Sequence, residues 1–507
     1  MKNYIKHIFI GLTLMITLSF CSDEFLSLGP EDTLTEVNFY QTEDDAQAAL
    51  HGVYNRLSLP EVWGNWANTA EIEWGITGDM YEMDRSQSRI ELHTLRFPAS
   101  NTALRNLYQR SYEGVARANS VIEQVSAMED IKSDTQEDII AQAKYLRGMF
   151  YYNLAWHFGG VPLVLEELDA SADFDIPRAS REKTWEQIIK DFSEASEVLP
   201  LNREGEDVGR ATKTAAWGFL VKSYLHLHEY DDVITYSEMI LDTKKHDLIS
   251  NYRDVFREEN ENNIEILFST QFSGTEPGRS NIITTRTSPR GGPGEFVGSS
   301  AWSNYVPATH WVDDHETDED DNIIDQRYHE TIIGAGEKHQ DVDYSLPEEP
   351  SEAMTMSGYI ITKYWFGIQD FRGGNNTPIV RLPEILLAYA EALNETGDQP
   401  NAMRQVNLIR DRAGLDDKSL NLSQEEVLDA IFHEYRFEFL WEPTGGFSAL
   451  NRRGRFLEYL EENHPDFESL DVDNKPWLHT QPILFPIPST AYDNNKALEQ
   501  NPHYPSF

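Results

Sequence analysis

The 507 residues suffice for one large domain or about three ordinary ones, and hydrophobic residues at 40% with 11 Trp, 23 Tyr and 24 Phe are globular rather than disordered in composition. Lys and Arg number 42 against 86 Asp and Glu, a formal charge of −44, which repels phosphate backbones and excludes nucleic acid as a natural partner. A single cysteine, Cys21, leaves no intramolecular disulfide, thiolate metal cluster or cysteine nucleophile in the body.

In chain order, Lys2 and Lys6 precede an apolar run from Ile8 to Phe20 that is too short to span a bilayer and reads as a signal-peptide core over residues 1–20. Leu18-Ser19-Phe20-Cys21 resembles a lipobox, from which it departs at Phe20, where a small residue is usual. Cys21 is therefore the expected lipidation site, and residues 21–38, with Pro30 and little periodicity, an anchor and extended tether. The acidic pair Asp23-Glu24 resembles the export tag of surface lipoproteins.

The body is expected to fill 39–507. Thr42 followed by Glu43-Asp44-Asp45 signals a capped helix start, and amphipathic helical runs recur at about 104–127, 137–158, 182–198, 212–228, 231–242, 383–396, 399–413 and 425–441. Short connections such as His228-Glu229-Tyr230 pair them into antiparallel hairpins, with small residues (Ala215, Ala216; Ala388, Ala390, Ala392) facing larger ones (Ile234, Ile240; Val406) as in tetratricopeptide packing. Hairpins are expected over about 39–245 and 380–441. About 60–103 and 245–380 carry Gly/Pro clusters, such as Gly291-Gly292-Pro293-Gly294, and no long helical pattern. They read as an irregular, loop-rich ligand-binding lobe held by rigid helices.

No nucleophile elbow, phosphate loop, zinc-protease motif or dinucleotide fingerprint is present, so the chain is read as a non-enzyme without cofactor. The acidic stretch Asp313–Asp321 lacks the glycine and terminal glutamate of an EF-hand and reads as a solvated loop, with no metal. Aromatic rings in the loops are the useful signal, because sugar rings stack their apolar faces on flat side chains. Trp63, Trp66, Trp302, Tyr305, Trp311 and Trp365, with Phe366 nearby, are the candidate platforms. Asp79 is the candidate hydroxyl partner, alongside Arg85, Asn304 and Arg327.

Several blocks then carry a family resemblance: Ala143-Lys144-Tyr145-Leu146-Arg147-Gly148-Met149-Phe150-Tyr151-Tyr152 with Phe158-Gly159-Gly160-Val161-Pro162, Gly209-Arg210-Ala211-Thr212-Lys213, Arg381-Leu382-Pro383-Glu384 running to Asn394, Val406 to Leu415, and Phe485-Pro486-Ile487-Pro488 with Gln500-Asn501-Pro502-His503-Tyr504. In order and spacing they resemble the SusD/RagB nutrient-binding lipoproteins of Bacteroidetes. The block Glu434-Tyr435-Arg436-Phe437-Glu438-Phe439 departs from the family's pattern, as does Glu442-Pro443-Thr444-Gly445-Gly446. The resemblance implies a mainly α, SusD-like fold with four tetratricopeptide-like pairs against an irregular lobe. It also implies an outer-membrane, outward-facing lipoprotein that captures polysaccharide or oligosaccharide and delivers it to a SusC-like TonB-dependent transporter. Arg147, Arg381, Glu384, Glu391 and Arg410 are then expected to be scaffold. Within the same architecture a RagB-like peptide-capturing role is the competing reading; a surface glycoside hydrolase would call for strands that this sequence does not display.

Overall fold

The computed structural model describes residues 39–507 apart from 60, 64–67, 84–85, 169–173, 275–279, 291–300, 366–372 and 465–466. Signal peptide, Cys21 and tether thus lie outside the described residues, as do Trp66, Arg85 and Phe366.

Helix α1 (Glu43–Leu57) starts where the sequence signals it: the Thr42 hydroxyl accepts from the Asp45 amide while the Asp45 carboxylate accepts from the Thr42 amide, satisfying two donors that a helix start leaves orphaned. Short α2 (Asn68–Gly75), strand β1 (Met80–Glu82) and α3 (Gln87–His93) follow. The long pair α4 (Thr102–Ser126) and α5 (Ser133–Phe158) then forms the centre of the helical body. From Ala141 onward nearly every residue of α5 is buried, because α1, α4 and α6 (Arg181–Val198) surround it. A helix covered on all sides is apolar all round rather than striped.

The hairpin α7 (Lys213–Leu227) and α8 (Tyr230–Asp242) turns at His228, whose left-handed backbone (φ 60°) ends α7. After the irregular lobe, α12 (Leu382–Glu395), α13 (Gln399–Arg412) and α14 (Gln424–Glu438) complete the helical set; the last opens with a second capping box, Ser423 and Glu426.

Among the described residues the lobe contains three two-stranded antiparallel ribbons. β1 pairs with β3 (Tyr305–Pro307), β2 (Ile266–Thr270) with β6 (Thr377–Arg381), and β4 (Ile332–Gly334) with β5 (Tyr359–Ile361). Short helices α9 (Ile283–Thr287), α10 (Thr309–Asp313) and α11 (Gln326–Thr331) lie between them. A small satellite core of Val306, Ile333, Val342, Tyr344, Leu346, Ile360 and Trp365 fills the lobe.

Beyond α14 the chain forms α15 (Gly446–Arg452), α16 (Phe456–Asn463) and, near its end, α17 (Ser489–Asn494), none of which the amphipathic pattern foretells. The C-terminal segment returns to the first helical layer: the Phe485 amide donates to the His157 carbonyl at 2.8 Å, and Asn501 Nδ2 donates to the carbonyls of Phe158 (3.0 Å) and Phe485 (2.6 Å).

A buried ionic lattice joins lobe to helices. Arg381 contacts Glu265, Glu438 and Glu442, Arg412 contacts Glu265 and Glu438, and Arg327 contacts Asp325 and Glu434. Arg410 bridges Glu434 and Glu316. With Arg147 on Asp191 at 2.7 Å, Glu384 on Lys222 at 2.5 Å and Glu391 on Arg452, all five residues expected to be scaffold are buried and ion-paired. Arg327, expected as a hydroxyl partner, is instead wholly engaged within this lattice.

Candidate functional site

Most of the expected aromatic platform is core. Trp311 is 0% exposed, its ring 4.7 Å from His315 and 5.1 Å from Phe437. Tyr305 is 1% exposed and packs on Trp441 at 4.8 Å. Trp365 lies in the satellite core beside His339 and Tyr344, and Trp63 is buried as well. A lobe poor in regular structure must build its core from rings carried on irregular segments, so a tryptophan outside a helical stripe is not thereby exposed. Asn304 is likewise buried, its amide donating to the Arg286 carbonyl at 2.7 Å.

Trp302 differs. It is only partly buried, held by its amide on the Thr285 carbonyl (2.9 Å) and by Arg290 Nε on its own carbonyl (2.7 Å). The Arg286 guanidinium lies 5.7 Å from its ring and pairs with Glu71, which also accepts from Arg89 Nε at 3.2 Å. Burial pushes Arg286 down to about 10.

Asp79 sits at the other end of the β1–β3 ribbon. Gly78 before it has φ +81°, and a Cβ there would meet the His464 ring at 2.4 Å, so glycine alone fits the turn. The Ala308 amide donates to the Asp79 carbonyl at 2.8 Å, which locks Asp79 into the ribbon. Its Oδ1 accepts from Arg436 Nη2 at 2.9 Å and from the Tyr459 hydroxyl at 2.5 Å, with His310 Nε2 at 3.5 Å. Oδ2 has no hydrogen-bond partner among the described residues. Burial opposes ionisation of this carboxyl, but Arg436, His310 and Tyr459 overcome it and hold it at about 2.

Asp79 lines a cleft of about 230 Å³ between α14, the Gly445-Gly446 turn and α16. Phe432, His433 and Arg436 come from α14, Tyr459 and Glu458 from α16. Arg436 stacks over Tyr459 at 5.1 Å and reaches Asp314 at 2.8 Å. Arg455 lies over Phe432 at 5.4 Å and pairs with Asp429 at 2.6 Å. The cleft thus offers a fixed anionic acceptor, oriented cationic donors and two ring edges, a set suited to hydroxyl-rich ligands.

Along the ribbon, Met83 donates its amide to the Asn304 carbonyl at 2.8 Å, so Trp302 lies just past the end opposite Asp79. From residue 79 to 83 an extended strand rises about 13 Å. Sequence reasoning picked out Asp79 and Trp302 but missed the α14 and α16 wall. The signal was present in the block Glu434–Phe439 and the Glu442–Gly446 turn, where the chain departs from the family's pattern: Tyr435, Arg436, Gly445 and Gly446 all line this cleft.

Among known structures, the fold is similar to a SusD superfamily protein from Bacteroides vulgatus (TM-score 0.78, 22% identity, covering 92% of this chain and 100% of that one). It is also similar to a laminarin-binding SusD-like protein (TM-score 0.74, 22% identity, 92% and 100%). A SusD-like protein of Formosa agariphila is 23% identical over 98% of this chain and 97% of its own length, and one of Bacteroides ovatus is 25% identical over 92% and 84%. Two family models cover the chain from either side, one described as starch-binding associating with outer membrane over residues 26–225, the other as the SusD family over residues 264–504. With both halves matched in order and the whole fold shared, the chain belongs to the SusD-like family.

Proposed function

We propose that this protein is a binding protein, not an enzyme, that captures polysaccharide or oligosaccharide at the outer face of the outer membrane, anchored by lipid on Cys21, and hands it to a SusC-like TonB-dependent transporter. The β1–β3 ribbon carries the reading: a partly exposed tryptophan stands past one end and, at the other end of a strand rising about 13 Å, a buried carboxylate has one uncommitted oxygen. That span suits a chain of several sugar units better than a single ring. A relative described as laminarin-binding and one described as a surface glycan-binding protein, from Bacteroides fluxus (TM-score 0.72), support the ligand class.

Affinity electrophoresis through gels containing single polysaccharides, neutral and charged, tests the reading. Retardation by one polymer, abolished in Trp302→Ala and weakened in Asp79→Asn, is expected. Migration unaffected by every polymer, with peptide binding by calorimetry, would move the protein to the peptide-capturing reading. For delivery, a TonB-dependent transporter should co-purify with the wild-type lipoprotein from solubilised outer membranes, and labelled palmitate should enter the wild type but not Cys21→Ser.

A further inference from the structure

A second concavity, of about 460 Å³, lies on the far edge of α4. Its walls are Tyr108, Tyr112 and Val115 from α4, Val164 and Phe174 from the stretch after α5, and Leu498 near the C-terminus. It is apolar, unlike the Asp79 cleft, and large hydrophobic residues are left open along it: Phe174 is 50% exposed and Leu168 38%. Exposed apolar patches of this kind are sites for apolar chain segments.

The chain itself supplies one. It enters the described structure at Phe39 and Tyr40, and the Tyr40 hydroxyl lies 3.3 Å from Ser120 Oγ on the same helix α4. Ala116, on the groove's edge, is one helical turn away, about 6 Å. The groove runs along α4 from Arg105 to Ala116, about 17 Å, and residues 31–38 reach about 27 Å when extended. Immediately beyond them Phe25-Leu26-Ser27-Leu28-Gly29-Pro30 is uncharged throughout, in a chain whose residues are 25% charged. In an extended conformation Leu26 and Leu28 fall on one face, and Pro30 disfavours a helix.

We propose that residues 25–30 dock into this groove, covering Phe174 and Leu168, so that the free tether between Cys21 and the body shortens to residues 22–24. The body is then held close against whatever surface Cys21 is fixed to. Hydrogen exchange on the full chain carrying Cys21→Ser tests this. Amides of residues 25–29 should exchange at least tenfold more slowly than an unstructured chain. Ala116→Trp, which fills the groove from an exposed position, should return them to unstructured rates, whereas Met239→Trp, on exposed α8 surface, should not. Independently, Leu28→Cys with Ala491→Cys in the Cys21→Ser background should close an intramolecular disulfide faster than Leu28→Cys with Met239→Cys. Unprotected amides at 25–29, protection that Ala116→Trp leaves intact, protection centred on residues 8–20 instead, disulfides that form only between two copies, or equal rates for the two cysteine pairs would each overturn the proposal.

Discussion

Trp302 and Trp311 stand nine residues apart in one irregular stretch, yet their substitutions should separate cleanly. Trp311→Ala empties a site that is 0% exposed and should lower stability by about 3–5 kcal/mol, read by chemical denaturation. Trp302→Ala, at a partly open position, should cost about 1 kcal/mol or less while abolishing retardation by the glycan. Asp79→Asn keeps the shape but removes the charge that Arg436 and Tyr459 address, and should cost about 2 kcal/mol. Asp79 is held ionised in the fold down to about 2, below its unfolded value, so its contribution is present above the unfolded value and is lost as pH falls towards 2. Asp79→Asn should lack that part of the acid sensitivity. At this scale the sequence named Asp79, which lines the cleft, but equally Asn304 and Arg327, which are buried in contacts with other segments. It was not legible for aromatic residues: whether a ring faces solvent or a satellite core depends on which distant segment folds over it, as residues 339–346 do over Trp365.

The long helices were nearly all readable, because caps and 3.6-residue periodicity are local. The run at 182–198 became Arg181–Val198 and the run at 399–413 became Gln399–Arg412. α15 and α16 escaped notice since they are only 7 and 8 residues long, too short for a periodic signal. That loss mattered, for α16 is one wall of the cleft. The lobe's ribbons were invisible for a related reason: strands of three to five residues pair across intervals such as 80 to 307. The junction after α5 is closely packed. A Cβ on Gly160 would lie 2.2 Å from the Ala179 carbonyl oxygen, and backbone cannot turn aside as a side chain can. Gly160→Ala should therefore cost about 3 kcal/mol, measured as a fall in the denaturation midpoint with an unchanged slope.

Across the whole molecule, the buried lattice around Arg381 is the acid-sensitive joint between lobe and helices. Burial opposes ionisation of Glu438, but Arg412 and Arg381 hold it down at about 2; Glu434, beside Arg327 and Arg410, is lowered as well. Carboxylates lowered in the fold stabilise it above their unfolded value near 4.5 and lose that effect as pH falls through the folded one, so wild-type stability should drop between about pH 4.5 and 2. Glu438→Gln should be less stable by about 3–5 kcal/mol at pH 7, where it leaves buried arginines short of a partner, and should fall less over the acid window. The net charge of −44 acts at longer range: if the ligand is a glycan, neutral polymers should bind with little dependence on salt, and sulfated or uronate-rich ones only as salt screens the repulsion.

The C-terminal segment that grips the His157–Phe158 end of α5 adds an element of timing. Residues 485 and 501 supply hydrogen bonds to a helix end laid down more than three hundred residues earlier. Contacts of such sequence separation slow folding. The carbonyls at that end of α5 stay unpaired with these donors until residues 485–501 have been made, so this layer closes late in synthesis.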